Sequence, residues 1–154
     1  MQNQQSPIIT SDQLAKLLDD PKVKILDCSV SMGRSAGDCQ RVNYHKYCIK
    51  GAQFLDLDNL RDMNTDLPFM MPSEKLFIDT MKRLNVKLSD KVVCYDSGAM
   101  QLFGYRAAWM FQAMGHPDVV ILDGGLKKWM AEGKPIDVHD ANVADDDFQY
   151  KMQP

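Results

Sequence analysis

Residues 92–109, VVCYDSGAMQLFGYRAAW, open as an apolar run, cross a polar loop holding Gly98 and close in an apolar stretch of helical character. A strand that feeds a loop and then a helix N-terminus gathers backbone N–H groups around one point, a common device for holding an anion or activating a nucleophile. Yet the first loop residue, Asp96, is itself an anion.

The same alternation recurs on either side. Thr10 and Gln13 have capping-box spacing, and Leu14, Leu17 and Leu18 share one apolar face before Pro21. Residues 23–26 read as a strand that delivers Asp27 to its C-terminal end, where open α/β sheets place ligand-facing groups. Residues 29–50 have no period, residues 51–57 read as a short apolar strand, and Pro68 and Pro72 exclude a central strand from the loop that follows. Ser73 can cap an amphipathic helix that ends at Asn85, and residues 91–95 are the most strand-like run of all. A helix is predicted over 106–114 with Gly115 at its C′ position. A strand over 119–122, a turn at Gly124 and Gly125, and a short helix over 126–132 closed by Gly133 complete the pattern. Such alternation predicts an α/β domain with a central, mostly parallel sheet and helices on both faces.

Composition narrows what such a domain does. A chain of 154 residues is one domain's length, and a net charge of -3 without a Lys/Arg tract argues against nucleic acid as a partner. No stretch approaches the roughly 18 apolar residues that span a bilayer, so no direct membrane insertion is expected. The four cysteines, Cys28, Cys39, Cys48 and Cys94, form no CxxC pair, and the histidines lack metal-ligand spacing, so neither metal nor cofactor is expected. Cys94 lies in the strand and reads as core; Cys28, at a strand end, reads as a small packed residue.

Three segments carry a resemblance: ILDCS with the later IKGAQFLDLD; LPFMMPSEKLF; and VVCYDSGAMQLFGYRAAWMFQAMGH running into VVILDGGLKKW. Together they resemble the rhodanese superfamily, and within it the N-terminal domain of the two-domain thiosulfate and 3-mercaptopyruvate sulfurtransferases. The resemblance covers roughly residues 7–135. It implies a rhodanese-like domain over 7–139, with 140–154 a C-terminal tail or the start of an interdomain linker.

The resemblance also implies an assignment for the loop. Active members place a cysteine directly after the central strand, where loop N–H groups and the helix dipole favour a thiolate and then a persulfide. Here that position is Asp96, so the chain alone is expected to be inactive, with Asp96, Ser97, Gly98 and Arg106 forming a degenerate active-site loop. Asp96 is expected to fill the anion cradle with its own carboxylate, and Arg106 to order the loop through carbonyls or Asp96. Arg34 and Arg41, in the polar excursion, are the candidates to face substrate or a partner. Phe69, Met70, Met71, Leu102 and Phe103 are expected to form an exposed apolar patch.

The implied partner is a C-terminal catalytic rhodanese domain or another protein subunit, in an intracellular setting, cytoplasmic or mitochondrial. Two alternatives stay open: an inactive domain serving as a structural subunit of a larger assembly, and an active sulfurtransferase that uses an unconventional cysteine.

Overall fold

The computed structural model describes residues 7–29, 47–57, 60, 71–97 and 102–138. Five strands form one parallel sheet in the order β1-β6-β5-β2-β4: β1 (Ile8–Ile9), β2 (Val23–Asp27), β4 (Gln53–Phe54), β5 (Lys91–Tyr95) and β6 (Val119–Leu122). Two further short strands, β3 (Cys48–Ile49) and β7 (Ile136–Asp137), pair antiparallel as a separate ribbon. The central strand β5 is paired along its whole length with β2, from Val23 opposite Lys91 to Asp27 opposite Tyr95.

Because side chains alternate along a strand, β5 divides its residues between two cores. Val92 and Cys94 join Leu26, Ile121 and the inner faces of α2 (Glu74–Leu84) and α3 (Leu102–Ala113). Val93 and Tyr95 join Ile25, Leu122 and residues of α1 (Ser11–Ala15) and α4 (Gly125–Ala131) on the other side. Helices therefore cover both faces of the sheet, and strands buried on both faces read as continuous apolar runs.

Local chemistry sets the element ends. Thr10 and Gln13 form the reciprocal capping box at the start of α1, and the Ser73 hydroxyl accepts the Leu76 N–H at the start of α2. Asn85, at φ 58°, ends α2 in a Schellman turn, with the Val86 N–H bonded to the Met81 carbonyl. Gly124, at φ 80°, starts α4 at a point where a Cβ would stand 2.5 Å from the Lys128 side chain.

Two expectations are corrected. Helix α3 begins at Leu102, four residues before the position read from the sequence, because Gly104 sits inside the first turns without breaking them. The strand read over 51–57 is reduced to Gln53–Phe54, and the β3–β7 ribbon, whose strands are too short to show a period, has no counterpart in the sequence reading.

Candidate functional site

In an open parallel sheet, the C-terminal ends of the strands form the edge where ligands bind. Here that edge carries two carboxylates from neighbouring strands: Asp27 closes β2 and Asp96 follows β5. They are 0% and 3% exposed, so each must find its stabilisation inside the protein.

Asp96 reaches it through the helix that follows. Its Oδ2 accepts the Phe103 backbone N–H at 3.0 Å, and its backbone carbonyl accepts the Leu126 N–H at 3.3 Å. The first N–H groups of a helix have no partner within it, and a carboxylate there gains both a hydrogen bond and the favourable end of the helix dipole. The side chain thus stands at the head of α3, and its main chain ties the same point to α4.

Asp27 is held differently. Its Oδ1 accepts both the Ser29 N–H at 3.0 Å and the Ser29 hydroxyl at 2.6 Å, an Asx-type turn. The Ser29 Oγ in turn accepts the Ser97 N–H at 2.9 Å and lies 2.9 Å from the Ser97 hydroxyl. A chain of hydrogen bonds, Asp27 to Ser29 to Ser97, therefore clasps the turn after β2 to the loop after β5. Among the described residues Asp27 Oδ2 meets no partner within hydrogen-bonding geometry. Burial pushes the Asp27 carboxyl up to about 6; the Ser29 bonds and the nearby Tyr95 hydroxyl oppose the shift, and the charge of Asp96 adds to it. The Tyr95 hydroxyl, on the same strand face, accepts the Ile49 N–H at 3.2 Å and joins this region to the ribbon. Burial, and then the charge of Asp27, raise the Tyr95 phenol well above its ordinary range.

The described thiols lie inside the protein. Cys28, Cys48 and Cys94 are all fully buried. Burial drives Cys28 well above the usual thiol range, with Cys94, Asp27 and Asp96 as neighbours that raise it further. Burial, with Asp137 and Asp27 nearby, pushes Cys48 up to about 12. The thiolate is the nucleophilic form of cysteine, and the surroundings of Cys28 and Cys48 disfavour it.

Of the residues picked out in the sequence, Asp96 and Ser97 come together at this edge. Arg106 does not join them: it lies in the second turn of α3, and its guanidinium sits over the Trp109 ring, 4.9 Å from the centroid. Gly98, Arg34, Arg41, Phe69 and Met70 lie outside the described residues, as does the tail from 139 onward. Met71 and Phe103 are half-buried against the core, while Leu102, Tyr105 and Trp109 are exposed on α3. Sequence reasoning did not single out Ser29. The Asp-x-Ser spacing at a strand end is a signal for its turn, but its bond to Ser97, 68 residues away, leaves no local trace.

Among the described residues no group of His, Cys, Asp or Glu is placed to hold a metal ion. What the edge can do follows from its donors and acceptors: a carboxylate takes the N–H bonds that a thiolate would take, but it cannot carry transferable sulfur.

Comparison with known proteins bears on the same region. The model of the rhodanese-like domain matches residues 10–132. The chain is 37% identical over 139 residues to thiosulfate/3-mercaptopyruvate sulfurtransferase 2 of Arabidopsis thaliana, covering 90% of this chain and 40% of that protein. Among solved structures it is similar to SseA from Escherichia coli, in a structure of the rhodanese fold of 3-mercaptopyruvate sulfotransferases (TM-score 0.74, 29% identity, 87% of this chain and 51% of that one). It is also similar to the sub-stoichiometric sulfur transferase subunit of yeast mitochondrial complex I (TM-score 0.65, 30% identity, 76% and 38%). The chain thus spans about half, or less, of each of these proteins.

Proposed function

Because the chain belongs to the family of rhodanese-like domains, we propose that it is a non-catalytic sulfurtransferase-type domain whose task is to support a catalytic rhodanese domain that carries sulfur as a cysteine persulfide. The observation that carries this reading is the Asp96 carboxylate on the Phe103 N–H, at the position where active members resembling this chain hold the reactive thiol. The buried Cys28, Cys48 and Cys94, two of them with raised pKa, speak against transfer through an unconventional cysteine.

In this reading the C-terminal edge of the sheet forms one wall of a cleft shared with the partner, and Arg34 and Arg41 are the groups that would meet anionic substrate there. The setting is intracellular, cytoplasmic or mitochondrial. A second reading, a structural subunit of a larger assembly, is favoured by the exposed Leu102, Tyr105 and Trp109 on α3, a face suited to protein contact.

The test is a thiocyanate assay on the reduced chain with thiosulfate or 3-mercaptopyruvate as donor and cyanide as acceptor. No turnover above background is expected. Robust turnover that disappears on replacing one cysteine with serine would overturn the proposal.

A further inference from the structure

Along α2, a cavity of about 550 Å³ opens between that helix and the segments that follow α2 and α3. Its volume falls within the range of about 300–1,000 Å³ typical of small-molecule sites. Phe77, Met81, Val86 and Met114 line its apolar floor, and the exposed Ile78 and Leu88 stand at its mouth.

The charged groups of the lining are distributed unevenly. Glu74 belongs to the first turn of α2 and Lys82 to the last, about 12 Å apart at 1.5 Å per residue. The Schellman turn at Asn85 then folds the chain back, bringing Lys87 into the lining beside the end that Lys82 occupies. Among the described residues neither lysine side chain has an ion-pair partner, a state they share with Lys16, Lys22, Lys50 and Lys127, and the carboxylate that accepts the Lys87 backbone N–H, Asp90, is paired with Lys24. The cavity therefore has an apolar floor and carries two lysines without an ion-pair partner at one end.

We infer that this cavity binds a small amphipathic anion, a carboxylate on a medium-length hydrocarbon chain. Its head lies between Lys82 and Lys87, and its chain lies along Phe77, Met81 and Met114. The apolar floor removes the chain from water, and the lysines fix the direction of entry, since the reverse orientation would bring the head to Glu74.

The probes are sodium decanoate and, as an uncharged control, decanol, titrated calorimetrically into the 154-residue chain. Saturable one-to-one binding of decanoate is expected, with decanol weaker by about tenfold or more, the scale of a lost charge-assisted contact. Lys82→Glu with Lys87→Glu, both on exposed side chains, should weaken decanoate by at least about tenfold while leaving decanol unchanged. Met114→Trp should exclude both. Amide shifts on titration should map to residues 77–88 and 113–116. Absence of saturable binding, equal affinity for the two probes, indifference to the charge reversal, or shifts confined to α3's exposed face would each overturn the inference. So would a dimer, seen by sedimentation and dispersed by Ile78→Glu, because the cavity mouth would then belong to a second copy.

Discussion

Ser29 stands between two strands' ends: its hydroxyl donates to Asp27 Oδ1 at 2.6 Å and accepts the Ser97 N–H at 2.9 Å. Replacing it with alanine removes both bonds and leaves the Ser97 N–H partly buried without this acceptor. Ser29→Ala should cost about 1–3 kcal/mol of unfolding free energy. Hydrogen exchange at the Ser97 amide should accelerate by more than global stability loss requires; unchanged exchange there would show that the clasp does not hold the loop.

The carboxylate of Asp96 does comparable work at the head of α3. Asp96→Ala should destabilise the chain by about 1–3 kcal/mol at neutral pH, since the part-buried Phe103 N–H loses this acceptor. Asp96→Asn keeps one carbonyl oxygen for the Phe103 N–H and should cost less. Urea titrations of the two variants against the parent measure the difference, and equal losses would count against the hydrogen bond as the cause.

Asp96→Cys should gain no sulfurtransferase activity. Nine residues lie between Asp96 and Arg106, and the Arg106 guanidinium sits over Trp109, so that donor is not aimed at a sulfur at residue 96. Persulfide detection by mass spectrometry after thiosulfate treatment checks this; a stable persulfide with turnover would mean that the loop still fits a thiolate.

Asp27 gives the fold a pH dependence of definite sign. The folded chain keeps its proton up to about pH 6, whereas an unperturbed carboxyl loses it near 3.8. The folded state therefore binds more protons between those values, so this group's contribution is fully present below about pH 4 and is lost as pH rises through 6. At about 1.36 kcal/mol per pKa unit, the loss is on the order of 3 kcal/mol. Asparagine keeps an acceptor for Ser29 and does not ionise. From pH 4 to pH 7 the stability of Asp27→Asn relative to the parent should rise by up to that amount, and a flat difference across the range would refute the assignment.

Thiol labelling should follow burial. In a Cys39→Ser background, a thiol-specific reagent should react with Cys28, Cys48 and Cys94 only as fast as the chain opens, and stoichiometrically in denaturant. Fast labelling of any of the three in the native state would revive a catalytic thiol.

How much of this was legible beforehand depends on the range of each interaction. The caps at Thr10 and Ser73, the stop at Asn85 and the strand at Lys91–Tyr95 rest on contacts within a few residues, and the sequence displays them directly. The place of Asp96 directly after the central strand was readable because the flanking strand and helix keep their pattern. The start of α3 was not, because Asp96 holds the Phe103 N–H across a loop of seven residues' separation and so extends the helix past the point where apolar periodicity begins. The place of Arg106 was legible in principle, because the helix predicted over 106–114 already sets Trp109 one turn on, but the sequence reading turned Arg106 toward the loop instead. The β3–β7 ribbon and the clasp through Ser29 join residues far apart in the chain, and no local pattern records such a pairing.

Among the described residues, the outermost strands of the five-stranded sheet, β1 and β4, are only two residues long. Each edge therefore offers little main chain on which another strand could template itself, and the sheet resists growth by strand addition, the route by which open sheets polymerise. Among the described residues, side chains on the helical faces then offer a neighbour more surface than the sheet edges do. Recognition of this domain would be governed by residue identity on those surfaces, and single surface substitutions should be able to change its choice of neighbour while the sheet stays intact.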